Sequence, residues 1–518
     1  MFTQFDVDQR QVRQGCAVEG MGFAASVSCL KRQGRLAPLR LAAILGLMAA
    51  AAGCVTLPPV PRVPQETDVP RAWSVPMTGA HDASREPNSL RDWWTRFDDP
   101  LLSALIVEAL VANTSIQSAQ ANVAQAWALR GVAQAGLAPS LTGAASARRD
   151  TTGMTNASAS SSDRFSLGVD ANWTLDVYGG RRAALLVSDG VVWARVADLG
   201  DMQVQVAAEL AANYIVLRSS QARAALAQQN LISQSATLQI ALWRQAAGLG
   251  TALDTLQARA LVAQTRAGLP PLAQAIETSA HAISVLTGQP PASLNARLLP
   301  VSAMPQSRGD LTIAIPAETL RQRADVRAGE FGVLQAYGRL GQSQAATKPS
   351  FVLGGSLGLA STNLGRLVQG SSVLSAVLGS ISLPILDGGA SAAQVRAEEA
   401  AYAQSRYAYR TIVLGALKDV EDALVVLRDD TVRVGDLRVA ALAATQAARL
   451  AQVRYRSGLI DYQAVLETQR TALSTQDSLA TATASISSDQ INLYKALGGG
   501  WAAPVGLPAP IIAEGDAP

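Results

Sequence analysis

The chain has 518 residues, 49% of them hydrophobic and only 16% charged, with a formal net charge of +3. That balance excludes a polar, disordered chain and a basic nucleic-acid binder. Three cysteines and two distant histidines, His81 and His281, exclude a disulfide framework, a thiolate metal cluster and a histidine-based hydrolase.

At the N-terminus Lys31, Arg32, Arg35 and Arg40 precede an apolar run over residues 41–50. The run is too short for a bilayer, which takes about 20 apolar residues, and reads as the core of a signal peptide over residues 1–53. Met21 is an alternative start. Ala51, Ala52 and Gly53 stand directly before Cys54, as in a bacterial lipoprotein cleavage box, so Cys54 is the expected lipid attachment site. An ordinary signal peptide with an incidental cysteine is the other reading. The leader holds six basic and three acidic residues, and its removal leaves a formal charge of zero.

Residues 54–100 are rich in proline and end in Trp93-Trp94-Thr95-Arg96-Phe97-Asp98-Asp99-Pro100. They read as an extended, lipid-anchored strap whose aromatics dock on the first helix. Residues 101–138 have helical spacing (Leu102, Leu105, Ile106, Ala109, Leu110) and stop at Pro139. Next, Phe165, Leu167, Val169, Ala171, Trp173 and Leu175 alternate with Ser166, Gly168, Asp170, Asn172, Thr174 and Asp176. A period of two predicts a strand, and residues 165–175 match the ~9–11 residues of a transmembrane β-strand. Its expected partner is residues 141–149. After Gly179-Gly180, residues 181–247 carry heptad-like spacing through Val192, Val196, Leu199, Val206, Leu210 and Leu217. Unbroken, such a helix reaches about 100 Å at ~1.5 Å per residue. It turns at Gly248-Leu249-Gly250 and returns to about Leu286, before a proline-rich linker over residues 289–319.

The same order of segments then recurs. Pro139 and Pro349, Gly248 and Gly458, and Leu256 and Leu466 all lie 210 residues apart, which marks a tandem duplication of residues 101–288 as residues 320–498. Residues 351–360 and 373–383 give two more strands, the faces of the last being unassigned. Residues 499–518 form a C-terminal tail.

Four strands cannot close a barrel, and an open sheet edge in lipid leaves backbone groups unpaired. Single-chain barrels start at about eight strands, so membrane-embedded hairpins require an oligomer that pools them. Asp170, Asn172 and Asp176 would then line a water-filled lumen. Surface hairpins on a soluble protein are the alternative. No Ser/His/Asp set, phosphate-binding glycine loop or paired-carboxylate pattern is visible, so neither an enzyme nor a cofactor is predicted.

The Trp93-Trp94 strap, the 173–180 turn with its repeat at 383–389, and the 458–468 turn together resemble the TolC-like outer membrane efflux family. The Cys54 box points to its lipoprotein branch, which serves resistance-nodulation-division pumps. The resemblance implies an α+β fold: a trimeric outer membrane β-barrel with four strands per chain, continued by a coiled-coil-like α-helical barrel. It implies a homotrimer that contacts outer membrane lipid and meets an inner membrane pump through a periplasmic adaptor protein. It also implies a passive exit duct for drugs or other small molecules. At the periplasmic tip, Asp254 and Tyr455 match residues that hold the aperture shut in relatives, but Ile460 stands where those have an arginine. Glu467 fills one of two acidic constriction positions, and Ala464 the other. A lipid-anchored periplasmic coiled-coil protein that does not span the membrane is the second hypothesis.

Overall fold

Alternation of apolar and small polar residues builds one antiparallel sheet from the two halves of the chain. The computed structural model describes residues 73–74, 90–152, 160–307 and 322–501. The chain divides into residues 1–54 and 55–518, and everything described belongs to the second unit. The expected signal peptide, Cys54 and most of the strap lie outside the described residues, as do residues 308–319 of the linker, residues 320–321 at the start of the second repeat and residues 502–518 of the tail.

Strands β1 (Ser140–Thr152) and β2 (Ser160–Leu175) come from the first half, and β3 (Ser350–Ser361) and β4 (Val373–Ser382) from the second. They pair in the order β1-β2-β3-β4. Directly paired residues point to the same side of a sheet, so the register assigns both faces. Phe165, Leu167, Val169 and Trp173 share one side with Ala145, Ala147, Leu353, Leu357, Leu359, Val373, Val377 and Ile381. Asp170 and Asn172 share the other with Ser140, Thr142, Gly354 and Ser356. On β4 the pairing decides what its sequence leaves open, because Leu374 and Leu378 fall on the polar side.

Gly168 and Gly358 face each other on that polar side. A Cβ on Gly358 would lie 2.8 Å from the Leu167 carbonyl oxygen and 3.0 Å from the Gly168 Cα. The two backbones crowd there, so the polar side has no room for a side chain at either position.

The helices are α1 (Pro100–Ala112), α2 (Thr114–Ala135), α3 (Gly180–Ala246), α4 (Ala252–Ala267), α5 (Leu269–Leu286), α6 (Asn295–Leu298), α7 (Ala324–Ala346), α8 (Ala390–Arg456) and α9 (Tyr462–Ala496). The single helix expected over residues 101–138 is two. Asn113 breaks it by accepting from Ser115 N at 2.9 Å and Ile116 N at 3.2 Å, while its amide donates to the Leu286 carbonyl at 2.9 Å. A side chain that caps α2 competes with continuation of α1. The return run after Gly248 likewise splits at Gly268, with proline in the first turn of α5.

Helices α3 and α8 each run 67 residues, start behind a left-handed glycine and end at another. At those ends Leu249 N donates to the Arg244 carbonyl at 2.8 Å and Leu459 N to the Arg454 carbonyl at 2.9 Å. Only a residue tolerant of positive φ permits this helix stop, and Gly248 and Gly458 both adopt φ 72°.

On the sheet side of the chain's middle, α2 packs on α3, α3 on α7, and α7 on α8. On the other side, α4 and α5 pack on α3, α3 on α9, and α9 on α8. A belt at the middle joins the halves. Trp93, only 1% exposed, stacks on Tyr494 of α9 with centroids 5.3 Å apart. The strap aromatics therefore dock on α9 as well as on α1 and α3. Asp99 caps α1 through Leu101 N and Leu102 N and accepts from the Tyr214 hydroxyl at 2.8 Å. Buried Arg218 donates to that hydroxyl, to Gln221 and to the Leu298 and Pro300 carbonyls, which pins the start of the linker to α3.

Candidate functional site

Two regions carry the expected site residues: the sheet and the turns at the far ends of the long helices. On the sheet, Asp170 and Asn172 are exposed on the polar side. The other side is apolar and open, with Leu141 74%, Val377 86% and Ile381 70% exposed in the single chain. Along β2 the apolar stretch from Phe165 to Leu175 covers about 33 Å at ~3.3 Å per residue, or ~25 Å in height at a tilt of ~40°, the height of an outer membrane band. At one end the Trp173 indole N–H donates to the Leu137 carbonyl at 3.0 Å, and Tyr178 lies against Phe351 with centroids 6.4 Å apart. At the other, Arg149 pairs with Asp163 through two bonds of 2.6 and 2.8 Å. Amphipathic aromatics at one margin and an ion pair at the other suit a band bounded by water on both sides.

Asp176, expected with Asp170 and Asn172, lies one residue beyond β2. Its carboxylate accepts from Arg181 N at 2.9 Å and from Arg182 N and Nε at 3.0 Å each. It caps α3 there and joins strand to helix just beyond the polar face. Asp387 does the same for α8, accepting from Gly389 N and Ser391 N, and the Ser391 hydroxyl together with these amides holds its carboxyl below the usual range.

At the turns, the α3–α4 and α8–α9 hairpins share a small core of Ala258, Leu261, Ala451, Tyr455, Tyr462 and Leu466. Thr251 and Asp254 cap α4 reciprocally: Asp254 N donates to Thr251 Oγ1 at 3.2 Å, and Thr251 N to Asp254 Oδ2 at 2.9 Å. Asp461 caps α9 alone, accepting from Ala464 N at 3.0 Å. Tyr455 is 2% exposed, its ring edge-to-face with Tyr462 at 5.7 Å. Burial raises the Tyr455 hydroxyl and pushes Tyr462 up to about 12.

Asp254 and Tyr455 are brought close enough for the carboxylate to act on the tyrosine, but within one chain no hydrogen bond among the described residues joins them. Ile460 is partly buried in the same core. The cation at this place is Arg244, which the motif comparison passed over. Its guanidinium carbon lies 4.7 Å from the Tyr455 ring centroid, and Nη1 donates to the Tyr455 carbonyl at 2.7 Å. An arginine four residues before the turn glycine recurs as Arg454 before Gly458, so the signal was in the repeat. Arg454 is exposed, however, and only the packing distinguishes the two. Glu467 is exposed on α9, with no ion pair among the described residues. Farther up the same helix, the Asp489 carboxyl is pushed up to about 6 by burial, then by the charge of Asp430 on α8 and a hydrogen bond between the two.

Comparison with known proteins adds to this geometry. A model of the outer membrane efflux protein family matches residues 105–289 and 315–499. Nodulation protein T of Rhizobium leguminosarum bv. viciae is 30% identical over 443 residues, 85% of this chain and 90% of that protein. The toluene efflux pump outer membrane protein TtgF of Pseudomonas putida is 27% identical, covering 88% of this chain and 96% of its own length. Among solved structures, the outer-membrane channel OprN matches with a TM-score of 0.80 at 31% identity, over 86% of this chain and all of that one. The outer membrane protein VceC of Vibrio cholerae matches at 0.72 and 26%, over 79% and 99%.

Proposed function

This chain belongs to the outer membrane efflux protein family and is an outer membrane transport protein rather than an enzyme; from that premise we propose that it forms, as a homotrimer, the passive exit duct of a tripartite pump. One observation carries the reading. At every level the chain presents an unfinished wall with one edge from each repeat: β1 and β4 in the sheet, α2 and α8 beside it, and α4–α5 and α8 towards the turns. Two different edges on one subunit make a head-to-tail contact, which closes into a ring when the rotation permits. Three copies supply twelve strands, enough for a barrel with a lumen, and each β4 finds a β1 to satisfy its backbone groups in hydrocarbon. The apolar side of the sheet then meets lipid, and Asp170 and Asn172 face the water inside.

In this reading the expelled substrates are drugs or other small molecules, delivered from an inner membrane resistance-nodulation-division pump through a periplasmic adaptor. The names of the relatives support efflux as the class of activity, toluene being the cargo named for TtgF. The exposed Leu141, Val377 and Ile381 weigh against a periplasmic coiled-coil protein, which would leave this face in water. Detergent-extracted protein should sediment as three chains and conduct ions in a planar lipid bilayer. A single chain that carbonate washes off membranes and that carries no current would refute the duct.

A further inference from the structure

We propose that Arg244 is the clamp that holds the two hairpin tips of a subunit together, and so sets the resting width of the duct's periplasmic end. The second half of that statement rests on the duct reading; the first stands on the geometry of one chain.

Along most of their length the two hairpins are tied by several polar contacts. Arg223 pairs with Asp477 at 2.7 and 3.0 Å, Asn230 donates to Gln476 at 2.9 Å, and Gln452 and Gln469 both donate to the Thr237 hydroxyl. Beyond Thr237, among the described residues, Arg244 makes the one side-chain hydrogen bond between the halves. Three attractions meet in that contact. The Nη1 proton goes to a carbonyl in the last turn of α8, where backbone acceptors outnumber donors. The charge sits at the negative end of that helix's dipole. The guanidinium carbon lies over the Tyr455 ring at cation–π distance. Arginine's flat fork can donate in its plane while stacking through its face, whereas a lysine ammonium offers a point charge without that shape.

The duplication makes the contact asymmetric. Arg454 stands 210 residues after Arg244 and Tyr455 stands 210 after Gln245, yet Arg454 and Gln245 are both exposed. One repeat contributes the cation and the other the ring. With Ile460 in the apolar core of the turn, the tie between tips depends on the α3 side.

The test uses the full-length trimer in detergent and in bilayers. Spin labels at Leu249→Cys and Leu459→Cys, both on exposed turn residues, report tip separation within a subunit when labelled chains are diluted with unlabelled ones. Arg244→Ala is expected to lengthen and broaden that distance and to raise resting conductance several-fold. Arg244→Lys should fall between it and the unsubstituted protein, and Arg454→Ala should match the latter in both. Helix content and trimer yield identify a folding failure, in which case the lysine variant decides. An unchanged distance in well-folded Arg244→Ala overturns the clamp, as does an equal effect of Arg454→Ala. A longer distance with no current from any variant keeps the clamp and removes the duct.

Discussion

One half-buried carboxyl, Asp489 beside Asp430, is expected to make stability depend on pH. Burial and the neighbouring carboxylate raise Asp489 from 3.8 to about 6, so the folded chain holds a proton that the unfolded chain has released. Stability from this group is greatest below about pH 4, falls as pH rises through the window from about 4 to about 6, and is fully lost above it. Asp489→Asn keeps a hydrogen-bonding side chain without the charge. It is expected to raise the midpoint of thermal unfolding at about pH 7.5 and to flatten its change between about pH 4.5 and 7.5. An unaltered pH profile would show that the pair does not couple to folding. At this scale the sequence is a partial guide. The resemblance singles out Asp254 for the closed aperture, and its reciprocal cap with Thr251, three residues away on one helix start, is what the structure adds. Arg244 and Tyr455 are not readable as a pair, because a contact between residues 211 apart depends on which of two repeated arginines turns inward.

The strands and helices were the most legible level, since side-chain period reports the faces of an element before any tertiary contact exists. Both 67-residue helices and the alternating β2 follow that rule. Two departures have local causes. Asn113 breaks the first helix by satisfying amides that continuation would have used, and β4 has no clean alternation, so only its pairing with β3 assigns its sides. The apolar side of the sheet is where a single charge is most harmful. Leu167→Lys should cost about 2–4 kcal/mol near a bilayer midplane and lower the yield of folded trimer in membranes. Normal yield, measured by membrane fractionation and native gels, would mean that this side does not meet lipid.

For the whole molecule, the open edges matter more than the core. A chain with its own complete core would hide β1 and β4 or cover them; this one leaves both at the margin of the sheet. Glu467 acquires meaning only in an assembly, where three copies around an axis would add their fields and favour cations. Glu467→Gln is expected to reduce the cation-to-anion permeability ratio about two- to threefold in bilayer recordings, since each carboxylate adds to the local potential. Unchanged selectivity would place it away from the narrow part of the duct.

The duplication, the element types, the amphipathic strands and the turn positions can all be read from the sequence, because each is written in spacings of a few residues or in one long repeat. It also carried the family resemblance. The tertiary structure decided which half of each repeat packs on which. It showed that the strap aromatics reach α9, that Asp176 is a helix cap, and that Arg244 rather than a residue at 460 meets Tyr455. Those outcomes depend on contacts between distant segments, where several partners are chemically equivalent and only packing selects one.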